Sequence, residues 1–176
     1  ESAGVYKSVK AVTCNVTVKA NGALIDKIAP KTDASTRRAF KNLGYKVKLS
    51  STFKYNGAEF NGGFNRASKT ITLTRLNNRD IYYEMGIFIA AATNSANTAE
   101  FKKIYAAEKK KAQFYGDDPL EYFAQEYENM MIGEKVSGVP KTTAYIKKMI
   151  KKMSTLSTST MQKNISKVKV ERASIL

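Results

Sequence analysis

The stretch Ile81 to Ala92 limits what this chain can fold into more than any other. From Arg79 to Thr93 apolar residues fill nearly every position, with Glu84 as the interruption, so a helix built from it is hydrophobic on almost every side. Such a segment is too short and too interrupted to span a bilayer. It predicts a central helix that the rest of the protein must surround. With 176 residues, 43% hydrophobic and 26% charged, the chain has the material for one ordinary domain with a real core. Its first residues, ESAGVYKS, lack the charged-then-apolar order of a signal peptide and are compatible with a processed N-terminus.

Before that helix the pattern mixes strands and helices. Residues 11–19, AVTCNVTVK, are β-branched with partial alternation and predict a strand. Asn21-Gly22 marks a turn, and Leu24 to Ile28 reads as a short helix stopped by Pro30. Asp33 can cap a helix running to Leu43, with Gly44 as its left-handed stop. Tyr45 to Leu49 and Lys69 to Arg75 alternate as strands, and Phe53 to Phe64, with Asn56-Gly57, predicts a hairpin or loop.

After it the pattern is helical. Asn97 and Glu100 form a capping-box signal before a helix with Phe101, Ile104 and Tyr105 on one face. Asp118-Pro119-Leu120-Glu121 is a strong helix start, and Leu120, Phe123, Ala124, Tyr127, Met130 and Met131 then recur at helical spacing. Pro140 opens a final helix with Tyr145, Ile146, Met149, Ile150 and Met153 inward and lysine pairs outward. The expectation is an α+β fold, a small N-terminal mixed sheet with helices packed on a helical C-terminal half. One domain is expected over residues 1–153, and a loosely attached Ser-, Thr- and Lys-rich tail over 154–176.

Two absences narrow the chemistry. The chain has no histidine, which removes imidazole ligands and imidazole general bases. A single cysteine, Cys14, excludes a disulfide framework and a cysteine zinc site, and in VTCNV it reads as a buried small hydrophobe. The net charge of +15 predicts salt-sensitive attraction to polyanions. The lysine clusters Lys109-Lys110-Lys111, Lys147-Lys148 and Lys151-Lys152 read either as solvated helix faces or as sites for wall polymer, anionic lipid or nucleic acid. The chain shows no Gly-rich phosphate loop and no nucleic-acid motif.

The order strand, YYEMGIFIA helix, YGDDPLEYFAQE helix, then VPKT, over roughly residues 65–153, resembles the anthrax lethal and edema factor-like domains and the related Pro-Pro endopeptidases. Active members carry H-E-x-x-H on the first helix, two zinc-binding histidines one turn apart with a glutamate that activates water. In this chain Tyr83 and Ile87 occupy the histidine positions and Glu84 the glutamate. By the same resemblance Tyr115 matches the catalytic tyrosine, Glu121 the third zinc ligand and Gln125 a supporting carboxylate. A site with two of three ligands replaced cannot hold catalytic zinc, so the resemblance implies a metalloprotease-like domain that is not an enzyme, without metal or cofactor. The family also contains a zinc-less copy with a Y-Y-E-x-G helix that binds an oligomeric toxin carrier, and Tyr82, Tyr83, Glu84 and Gly86 follow that motif. That copy docks through aromatic and acidic residues at places that hold Asn129, Ser137 and Gly138 here.

The implied function is a protein-binding module of a secreted bacterial toxin-like or surface protein, with a toxin carrier, host protein or surface protein as partner. The alternative is a basic polyanion-binding domain. A third reading, acid-base chemistry by Glu84 with Glu121, finds no sugar-binding cleft in the sequence. More plainly, Tyr83 and Ile87 fill the space of a lost metal and Glu121 completes the cap begun by Asp118. Glu84 is harder to explain away, since a carboxylate in an apolar helix needs a donor or a raised pKa. A vestigial cleft of Glu84, Tyr115 and Glu121 is the expectation.

Overall fold

The computed structural model describes residues 12–13, 18–112 and 118–169. Among these, seven α-helices accompany a small mixed sheet, an α+β architecture. The four-stranded sheet runs in the order β2 (Val18–Asn21), β3 (Lys46–Leu49), β7 (Thr70–Leu73), β6 (Gly62–Asn65). Strand β3 pairs parallel with β7, matching Val47 to Ile71 and Leu49 to Leu73, while the edge strands β2 and β6 run antiparallel to β3 and β7 respectively. Period-two alternation buries Val47, Leu49, Ile71 and Leu73 on one face.

Local chemistry explains most boundaries. Helix α1 (Leu24–Ile28) ends before Pro30, and α2 (Ala34–Asn42) starts where Asp33 accepts a bond from the Thr36 amide at 3.0 Å. Gly44, at φ +85°, then takes the left-handed conformation that lets the chain turn into β3. The hairpin of β4 (Lys54–Tyr55) and β5 (Ala58–Glu59) turns on Asn56 and Gly57, both at positive φ, as a tight two-residue loop requires. A two-residue pair, β1 (Val12–Thr13) with β8 (Arg75–Leu76), lies outside the main sheet. The strand expected over 11–19 falls partly beyond the described residues, as does Cys14.

Helix α3 (Asp80–Ala92) is the hub: all but Asp80 and Tyr83 of its residues are buried. One side meets the sheet through an aromatic cluster, Phe88 lying 5.4 Å from Tyr45 and 5.3 Å from Phe40, with Tyr45 stacked on Phe64 at 5.2 Å. The other side packs on α5 (Pro119–Ile132), and α4 (Ala99–Glu108) and α6 (Pro140–Met153) close the helical half. Helix α5 begins as its sequence predicts, with Asp118 accepting from the Glu121 amide at 3.0 Å and Pro119 in the first turn.

Two expectations need correction. Helix α4 is capped by Thr98, whose hydroxyl accepts from the Phe101 amide at 3.2 Å. Asn97 instead ends a 3-10 turn and donates to Asn94, because only Thr98 has the extended backbone a cap needs. Nor is the segment from 154 a loose tail over its described part. Ser157 caps α7 (Thr158–Ser166), which buries Met161 and Ile165 against the core. Asn164 donates at 2.8 Å to the carbonyl of Ala92, an unsatisfied group at the end of α3. The Arg66 guanidinium reaches the carbonyls of Ile165, Ser166 and Val168, fastening the same C-terminal end of α7. Helix α6 is therefore the penultimate helix of the described residues. None of these helices is long and apolar enough to cross a membrane.

Candidate functional site

Helices α3 and α5, which carry Tyr83, Glu84, Ile87, Glu121 and Gln125, meet along a seam. They run antiparallel, since Arg79 pairs with Glu128 while Gly86, further along α3, faces Ala124. At Gly86 the approach is so close that a Cβ there would lie 2.7 Å from the Ala124 Cα and 3.2 Å from the Tyr127 Cβ. Glycine is needed here for space, not for backbone freedom.

The resemblance-derived positions divide as follows. Ile87 is wholly buried and Tyr83 half-buried, both on α3. Glu84 is 4% exposed, and its Oε2 finds no hydrogen-bond donor among the described residues. Burial, reinforced by repulsion from Asp80 and Glu128, pushes its carboxyl well above the usual range, so it is held as the neutral acid. Glu121 is half-buried in the first turn of α5, where its main-chain amide serves the Asp118 cap. Gln125 is buried, and its amide donates to Glu128 Oε2 at 2.6 Å and more weakly to Asn129 at 3.5 Å. Tyr115 lies outside the described residues, and with it the expected cluster of Glu84, Tyr115 and Glu121.

What the fold brings beside Glu84 is a set that sequence reasoning missed. Glu128 is 5% exposed and accepts from Arg79 Nη2 at 3.0 Å, while the same guanidinium lies 3.9 Å from the Glu134 carboxylate. Asp80 is held by Arg75 at 2.6 and 3.1 Å and by Asn77 at 2.9 Å. Burial raises Glu128 to about 7 against the opposing pull of Arg79 and Gln125. One residue pair away, Glu126 is also raised to about 7, by burial first and then by repulsion from Glu108 and Glu128, with Asn129 opposing. A signal for this existed: Gln125, Glu126, Glu128 and Asn129 form a polar run inside a helix otherwise read as core.

The seam is a close helix–helix contact in which Glu84, Gln125 and Glu128 are all buried. Among the described residues no three Asp, Glu, His or Cys side chains are placed to hold a metal ion. A further buried carboxylate, Glu108, has a different role: it accepts from the amides of Lys141 and Thr142 at 2.9 and 2.8 Å and from the Thr142 hydroxyl at 2.7 Å. It thereby caps α6, whose own N-cap, Val139, has no side chain able to do so.

The lysines form two groups. Lys147, Lys148, Lys151 and Lys152 are all exposed along α6, and Lys148 lies 3.2 Å from Glu100 on α4. Lys109, Lys110 and Lys111 form a 3-10 turn after α4, with the Lys109 ammonium 4.7 Å over the Tyr105 ring and the other two exposed. Comparison with known proteins finds no matching family model, no matching curated protein and no matching solved structure.

Proposed function

We propose that this chain is a non-catalytic binding module built on a metalloprotease-like scaffold, belonging to a secreted bacterial toxin-like or surface protein and acting through a macromolecular partner. The observation that carries the reading is the state of the α3–α5 seam. Where the resemblance calls for a metal and a water, Ile87 is sealed in apolar contact and Gly86 lies against the Ala124 backbone. Glu84, which a protease would need as an exposed base, is buried and held neutral. Burial that favours the protonated carboxyl works against its taking a proton from water. The positions of two imidazole ligands are instead used to pack the hub helix.

The test joins elemental analysis of the purified protein with a peptide-cleavage assay in added zinc. Substoichiometric zinc and no metal-dependent cleavage are expected. Stoichiometric zinc that survives dialysis, or cleavage abolished by Glu84→Gln, would overturn the reading.

A further inference from the structure

The fold concentrates positive charge outward more than the composition suggests. Of the acidic residues, Glu84, Glu108, Glu126 and Glu128 are withdrawn into the interior. The two acids that count as exposed among the described residues, Glu59 and Glu100, already touch Lys54 at 3.5 Å and Lys148 at 3.2 Å. Among the described residues the exposed lysines therefore far outnumber the exposed acids, and Lys41, Lys54 and Lys148 are the ones with a carboxylate beside them.

These are densest where α4 and α6 lie side by side. The two helices are antiparallel, since Glu100 meets Lys148 at one end and Glu108 caps Lys141 and Thr142 at the other. Along α6 the exposed lysines run from Lys141 to Lys152, about 16 Å of helix, with one side of α6 buried through Tyr145, Ile146 and Met149. Lys103 follows Glu100 by three residues and so shares its face on α4. Between the lysines stand Ala107 and Ala144, both exposed and too small to project. The result is a two-helix platform in which exposed lysines of α4 and α6 share one side of the protein.

Its chemistry selects among polyanions. The platform carries lysine but no arginine, and Tyr105 and Tyr145 lie beneath the lysine stems instead of standing out for base stacking. Nucleic-acid surfaces combine cations with groups that grip phosphates bidentately, enter a groove or stack on bases, and none of these is present on this face. A plane of anionic headgroups asks only for a flat, dense array of cations.

We propose that the α4–α6 platform of Lys103, Lys141, Lys147, Lys148, Lys151 and Lys152 adsorbs the protein to the surface of an anionic lipid bilayer. The contact is peripheral and electrostatic, with no inserted residue. It goes beyond the reading of the α3–α5 seam and does not depend on it: zinc content and cleavage test the seam, and neither involves these lysines.

The experiment is co-sedimentation of the full chain with phosphatidylglycerol–phosphatidylcholine vesicles, with pure phosphatidylcholine vesicles as reference, across a salt series. Binding to the anionic vesicles alone, falling steeply with salt, is expected. Lys147→Gln/Lys151→Gln/Lys152→Gln should weaken it about a hundredfold, and Lys147→Gln/Lys151→Gln about thirtyfold. The charge-matched control Lys27→Gln/Lys31→Gln/Lys46→Gln, exposed residues of other elements, should stay close to the parent protein. Far-UV circular dichroism checks that all variants fold. The proposal is overturned by equal losses in the platform and control variants, by vesicle binding that is absent or indifferent to salt, or by plain duplex DNA stripping the protein from the vesicles at equal phosphate.

Discussion

Raising the pH from about 5 to about 8 should weaken this fold, the reverse of ordinary acid denaturation. The cause is the trio Glu84, Glu126 and Glu128, whose carboxyls are all raised above 4.5, the latter two to about 7. A carboxyl raised by folding keeps its proton in the native state while the unfolded chain has lost it. Its stabilising contribution is therefore complete below about 4.5, declines as pH rises, and is lost once pH passes the native value. At roughly 1.4 kcal/mol per pH unit and proton, the interval from 4.5 to about 7 is worth about 3 kcal/mol for each of Glu126 and Glu128. Glu84 adds a loss in the same direction. Against a total stability of about 5–15 kcal/mol, this is a large fraction. The window is clean because the chain has no histidine to titrate within it. Urea denaturation followed by tyrosine fluorescence and circular dichroism, at several pH values across that range, measures the slope directly. Stability should fall by several kcal/mol, and Glu128→Gln should flatten the slope by about one proton. Stability that stays level or rises from pH 5 to 8 would refute the assignment of neutral buried acids at this seam.

Three other outcomes follow from the packing. Gly86→Ala places a methyl within 2.7 Å of the Ala124 backbone and must spread α3 from α5, so a loss of about 1–3 kcal/mol or more in chemical denaturation is expected. Arg79→Met leaves Glu128 and Glu134 without the guanidinium between them; at pH 8 to 9 it should cost about 3–5 kcal/mol, and much less at pH 5, where Glu128 holds a proton. Ile165→Ala should lower stability by about 2–5 kcal/mol, because its side chain is core and not tail; a change of a few tenths, seen in thermal melts, would restore the loose-tail view.

Much of the fold was readable from local pattern. The all-round apolar run marked α3 as the hub, since no other arrangement hides such a helix from water. Asp33 with Gly44, Asn56-Gly57, and Asp118-Pro119 set their own turns and caps through bonds that span only a few residues. The exposed lysine stripe of α6 was equally legible, because helical spacing alone separates it from Tyr145, Ile146 and Met149. The site was legible only in part. That Glu84 must be unusual follows from a carboxylate in an apolar run, but what surrounds it does not.

Which partners meet was decided by tertiary structure. Residue 79 finds residue 128, the Glu108 carboxylate finds the start of α6, and Asn164 finds the last turn of α3, each across dozens of residues. Nothing in local periodicity encodes such pairings. In the segment from 154 only Met161 and Ile165 are strongly apolar within α7, too few to announce a helix, and their burial depends on the groove that α3 offers. Local propensity and spacing act over one or two helical turns. The proton affinity of a buried acid, and the docking of a weakly apolar helix, depend on the dielectric and shape that the whole chain creates around them.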